Sequence, residues 1–171
     1  GGLLLSSKKS KGLKGKALLL FYSRTGKTRS VMGALKEALD ERYDVELVEV
    51  KPKVRIGFFK GGSMAKRGEA VEVEELKVNF SDYDLIVFGT PVWNGCPTPP
   101  INAVMGMISD LSGRRVALVV TCAFSAGATV NIIAEKVRSK KGEFAGSLVV
   151  KTMFGIRRKA LEKVEEFSRS L

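Results

Sequence analysis

Residues 17–28 read ALLLFYSRTGKT. The apolar run Ala17–Phe21 has the length and composition of a strand buried on both faces, as in a parallel sheet. It stops abruptly in Ser23-Arg24-Thr25-Gly26-Lys27-Thr28, and a helix-patterned segment begins at Arg29. A strand that feeds a hydroxyl- and glycine-rich turn and then a helix is an anion-binding device. The first N–H groups of the helix have no partner inside it and point at the turn, and the helix dipole adds partial positive charge there. The segment therefore predicts a parallel α/β fold and a phosphorylated ligand. Gly26-Lys27-Thr28 matches the end of a Walker A loop, G-x-x-x-x-G-K-[ST], but Phe21 stands where the first glycine belongs, inside the strand. The loop is too short to wrap a nucleotide di- or triphosphate.

Two further strand-to-loop junctions stand out. Residues 84–100, DLIVFGTPVWNGCPTPP, place a buried strand at Leu85–Phe88, ended by Gly89-Thr90-Pro91. Pro97, Pro99 and Pro100 are expected to exclude regular structure until a helix starts near Ile101. Residues 115–128, RVALVVTCAFSAGA, place a strand at Val116–Val120 and then a loop of small residues with one aromatic, Phe124. Val45–Val50 and Ser147–Thr152 supply two more strands. Helices are expected at about 28–42, 101–111, 129–140 and 157–169.

The spacing Ser-x-Thr-Gly-x-Thr at residues 23–28 resembles the FMN-phosphate loop of the flavodoxin family. Met32, where that family usually has a small Ala, and Lys27, often Asn there, are departures that remove neither a hydroxyl nor the glycine. Gly-Thr-Pro-Val-Trp-x-Gly at 89–95 resembles the family's loop after the third strand, which wraps one side of the isoalloxazine ring. The 121–127 loop corresponds to the family's second flavin-edge loop. The resemblance covers residues 17–171 and implies a flavodoxin-like three-layer sandwich: a five-stranded parallel sheet of order 2-1-3-4-5 with helices on both faces. In such sheets ligands bind outside the carboxyl ends of the strands at the topological switch point, where loops after strands one, three and four line one crevice.

The cofactor so implied is FMN. Ser23, Arg24, Thr25, Gly26, Lys27 and Thr28 would hold its phosphate, and Thr90, Pro91, Val92, Trp93, Asn94 and Gly95 would flank the ring with Trp93 as the stacking surface. Thr121, Cys122, Ala123, Phe124 and Gly127 would form the second ring-edge loop. The ring does the chemistry, so no side chain is named as catalytic.

Composition narrows the alternatives. A chain of 171 residues suggests one domain with a sizeable core. No apolar stretch reaches the ~20 residues of a membrane helix, and Leu3-Leu4-Leu5 is too short for a signal peptide, so a cytoplasmic location is expected. Two cysteines and no histidine exclude a disulfide scaffold and His-based catalysis and leave no metal centre in view. Abundant Lys and Glu with no Gln give a thermophile-like composition.

Net charge is +11, where family flavodoxins are mostly acidic. Residues 1–16 hold five lysines and no acid and read as a basic, disordered arm. Residues 51–67, KPKVRIGFFKGGSMAKR, hold six basic residues and no acid, inside a long insertion at about 51–81. Its Phe58-Phe59 segment reads as a mobile flap, with a helix near Val71–Leu76. Cys96 and Cys122 follow neighbouring strands and either fill tight loops or form a dithiol beside the flavin.

Two roles stay open for an FMN-binding redox protein. A flavodoxin-type electron carrier works with a redox protein partner, and the compact loops favour it. An NAD(P)H-dependent FMN or quinone reductase needs room above the ring, often built by a homodimer, and the basic flap favours that. A basic nucleic-acid-binding module is a remote third reading, because no RRM, KH or helix-turn-helix signature accompanies the charge.

Overall fold

The computed structural model describes residues 14–171. The expectation of a disordered arm lies, for residues 1–13, outside the described residues. Its last two residues belong to the first strand, which is β1, Gly15–Phe21. The chain continues through α1 (Lys27–Leu39), β2 (Tyr43–Glu49), α2 (Phe58–Lys66), β3 (Leu85–Trp93), β4 (Cys96–Pro97) and α3 (Pro99–Met107). It ends with β5 (Arg115–Cys122), α4 (Thr129–Ser139), β6 (Glu143–Lys151) and α5 (Arg158–Ser170).

The sheet order is β2-β1-β3-β5-β6, all parallel, with the two-residue β4 paired antiparallel to the end of β3. Apart from β4 this is the expected 2-1-3-4-5 order. The central strands are apolar without interruption because both of their faces are covered, as parallel sheets require. Alternation sorts their side chains. Leu18, Leu20, Ile86, Phe88, Val116, Leu118 and Val120 face one layer, where they meet Ile101, Val104 and Met105 of α3 and Ile133 and Val137 of α4. Ala17, Leu19, Phe21, Leu85, Val87, Ala117 and Val119 face the other, against Val31, Met32, Leu35 and Leu39 of α1 and Val164 of α5.

Met32 fits because of Gly89. A Cβ on Gly89 would lie 2.7 Å from the Met32 sulfur and 2.9 Å from Phe21 Cβ. The missing side chain on β3 makes room for the long one on α1.

Three expectations are corrected. The prolines do not delay α3 to Ile101: Pro99 and Pro100 occupy its first turn, where a missing N–H costs nothing. β3 runs past Gly89-Thr90-Pro91 to Trp93. The insertion has its helix at Phe58–Lys66 rather than at Val71–Leu76. Around Val73 the chain is extended and bridged to Pro52, with Lys53 N–H donating to Glu72 O at 3.0 Å and Glu74 N–H to Lys51 O at 2.7 Å.

Candidate functional site

Tyr22 to Gly26 bend between β1 and α1. Gly26 caps the helix with φ of 91°, in the left-handed region where a side chain is strained. Ser23 Oγ accepts from the N–H groups of Gly26 (3.1 Å) and Arg29 (3.3 Å) and so ties the bend to the first turn. Lys27 Nζ donates to Thr152 O at 3.0 Å, joining this bend to the exit of β6. Arg29 pairs with Glu49 at 2.5 Å. Thr28 is buried, and its hydroxyl lies 2.7 Å from that of Thr121 at the end of β5. Arg24 and Lys27 are therefore the cations of the bend, while Thr28 anchors its floor.

The second loop is a hairpin. Trp93 pairs with Cys96 and Val92 with Pro97, leaving Asn94-Gly95 as a two-residue turn. Positive φ at both, 55° and 75°, marks the mirror-image type I′ geometry that matches strand twist. Thr90 is fully buried at the hairpin's base and hydrogen-bonds to Thr98 Oγ1 at 3.1 Å. It braces the loop and presents no donor at the surface.

The third loop closes on the second. Ala128 N–H donates to Gly95 O at 2.7 Å, and a Cβ on Gly127 would come within 2.5 Å of Gly95 Cα. The hydroxyl pair Thr28–Thr121 and the Gly95–Ala128 bond thus draw all three loops to one edge of the sheet, the carboxyl ends of β1, β3 and β5.

A cleft of about 240 Å³ opens beside the hairpin, lined by Arg24, Val92, Trp93 and Asn94 and by Phe58, Phe59 and Gly62 of α2. The Arg24 guanidinium lies 5.1 Å from the Trp93 ring centroid and 5.4 Å from that of Phe58, within cation–π range of both. Tyr22 meets Trp93 edge-to-face at 5.6 Å. Burial pushes the Tyr22 hydroxyl above its ordinary pKa, against the opposing pull of Arg24. Burial likewise raises the Cys122 thiol, opposed by Lys151. Cys122 and the half-buried Cys96 are both free thiols.

Residues 16–154 match the family model described as NADPH-dependent FMN reductase. The chain belongs to that family. No curated protein matches it in sequence. Among solved structures, a flavoprotein in complex with FMN from Lactobacillus acidophilus NCFM is similar at 26% identity and a TM-score of 0.66, over 79% of this chain and 93% of that one. Oxidised flavodoxin 2 from Bacillus cereus shares 21% identity and a TM-score of 0.64, over 91% and 96%. A flavodoxin from the domain Archaea shares 17% and a TM-score of 0.61, over 90% and 93%. The last two show the fold, which is flavodoxin-like.

FMN is the cofactor that membership of the FMN reductase family implies, and the residues present fit it. The bend offers hydroxyls, helix N–H groups and two cations for a phosphomonoester, and the hairpin offers an indole for a flat ring. Six of the expected site residues line a cleft, and they fall in two; Ser23, Thr25, Gly26 and Lys27 line neither. Arg24, Val92, Trp93 and Asn94 share the cleft with α2, whereas Ala123 and Phe124 border a different one on the far side of the 121–127 loop. Phe58, Phe59 and Gly62 come from the segment expected as a mobile flap, which is the helix α2, whereas Tyr22 and Thr152 are not among the expected residues. The Asn94-Gly95 dipeptide is the sequence signal for the hairpin, and Tyr22 beside Ser23 was within reach. Nothing local in the sequence assigns Thr152 to Lys27.

Proposed function

We propose that this chain binds FMN across the three joined loops and passes electrons through it as a flavodoxin-type electron-transfer protein. The observation that carries the reading is the convergence of the bend, the hairpin and the 121–127 loop through Thr28–Thr121 and Gly95–Ala128. When bound, FMN supplies the redox chemistry, accepting electrons singly or in pairs. Ser23, Thr25 and the N–H groups of Lys27 and Thr28 hold the phosphate, with Arg24 and Lys27 balancing its charge. Gly26 keeps the approach free of a side chain. Trp93 would provide a stacking face, and the backbone of the Asn94-Gly95 turn would orient the ring. Thr90 braces the hairpin from within, and Gly127 lets the 121–127 loop close on Gly95.

NAD(P)H-dependent reduction of FMN or a quinone is the second reading. The family match favours it, as does the helix α2, which brings Phe58 and Phe59 to the cleft beside Arg24. Anaerobic mixing of the FMN-loaded protein with NADPH separates the two. An electron carrier leaves NADPH unoxidised over minutes yet is reduced by a one-electron donor. A reductase bleaches its flavin with one equivalent of NADPH.

A further inference from the structure

The 121–127 loop borders a second cleft of about 540 Å³ at the carboxyl ends of β5 and β6. Its apolar part is unusually open: Phe124 is 70% exposed, Phe154 75% and Met153 41%. Lys151, Arg157, Lys159 and Lys163 surround this trio, and among the described residues no acidic one lines the cleft. The Arg157 guanidinium lies 5.5 Å from the Phe154 ring centroid, holding charge against the apolar centre. Glu162, on the neighbouring turn of α5, is occupied by Arg158 at 3.6 Å.

Exposed aromatics cost solubility and are commonly kept for contact. An apolar centre inside a charged rim is the anatomy of a protein–protein interface, in which the centre carries affinity and the rim sets partner choice and association rate. We propose that this patch is the docking surface for an acidic one-electron carrier, an iron–sulfur protein with carboxylates around its exposed centre. The proposal rests on the FMN reading, because Phe124 stands on the loop that also borders the proposed ring site, placing the partner next to the flavin. In each encounter the iron–sulfur centre gives up one electron and is oxidised, and the FMN gains it. Two encounters, with protons taken from solvent, complete reduction of the flavin.

The test uses the FMN-loaded full chain and a reduced plant-type [2Fe–2S] ferredoxin, with flavin bleaching followed by stopped flow. The double variant Lys159→Glu/Lys163→Glu lowers the second-order rate about tenfold or more at low salt. Lys77→Glu/Lys141→Glu, equal in charge change but exposed outside the cleft, lowers it by less than about twofold. Phe154→Ser lowers the rate at high salt as well, where the rim charges are screened. Equal effects of the two charge pairs, or no effect of either, overturn the proposal. Conversion of a dimer to a monomer by the first pair also overturns it, since the face then joins two copies. Calorimetric binding of oxidised ferredoxin to the same variants scores the patch even if the chain takes up no FMN, so failure of the cofactor reading is distinguishable from failure of the docking surface.

Discussion

Gly127 and Gly95 touch: a Cβ on Gly127 would stand 2.5 Å from Gly95 Cα and 2.6 Å from Gly95 O. Gly127 also has φ of 56°, so a side chain there is strained before it clashes. Gly127→Ala is expected to cost about 1–3 kcal/mol and to push the hairpin from the 121–127 loop. Chemical denaturation reads the first effect and FMN titration the second, as weakened binding.

Ser23→Ala removes the acceptor for the Gly26 and Arg29 N–H groups. Losing these hydrogen bonds costs about 1 kcal/mol. Because this oxygen shapes the bend proposed to hold the phosphate, the variant is expected to lose FMN affinity while its weak riboflavin affinity stays the same. Parallel titrations with the two flavins check this.

The sheet was legible in the sequence and the insertion was not, for one physical reason. Strands β1, β3 and β5 are covered on both faces, so their burial is written as apolar runs. The helix α2 contains Gly61-Gly62, which argues for a loop by propensity. Gly61 is there because a Cβ would lie 2.6 Å from Trp93 Cζ3. A contact across more than thirty residues overrides local preference, and only the folded chain displays it. The bend at residues 22–26 was readable because its chemistry is local, whereas Lys27 reaching Thr152 and Thr28 reaching Thr121 are consequences of topology.

Trp93 is the only tryptophan and a proposed stacking face for the ring. Trp93→Ala is expected to weaken FMN binding about tenfold, since an aromatic pair is worth roughly 0.5–1.5 kcal/mol beyond its buried area. Flavin fluorescence quenching measures it.

Arg24 places a positive charge beside the same indole. Positive surroundings stabilise the anionic reduced flavin, so Arg24→Gln is expected to make the second-electron potential more negative. Anaerobic redox titration of the two FMN-loaded proteins gives the difference.

Tyr83 has a pKa pushed up to about 12, by burial first and then by its hydrogen bond to Glu46 and the charges of Glu46 and Asp82. A raised folded-state pKa means that the unfolded chain loses this proton first. Stability from the neutral phenol is complete below about pH 10 and falls as pH rises towards about 12. Tyr83→Phe flattens that part of the profile, as urea midpoints across this range will show.

The three loops are proposed to form one FMN site in which the phosphate is recognised as well as the ring. The most direct measurement is titration of the flavin-free protein with FMN and with riboflavin, read by quenching of Trp93 fluorescence. Saturable binding of FMN and much weaker binding of riboflavin are expected. Equal affinity for the two flavins would contradict the phosphate bend, and no quenching by either would contradict the site as a whole.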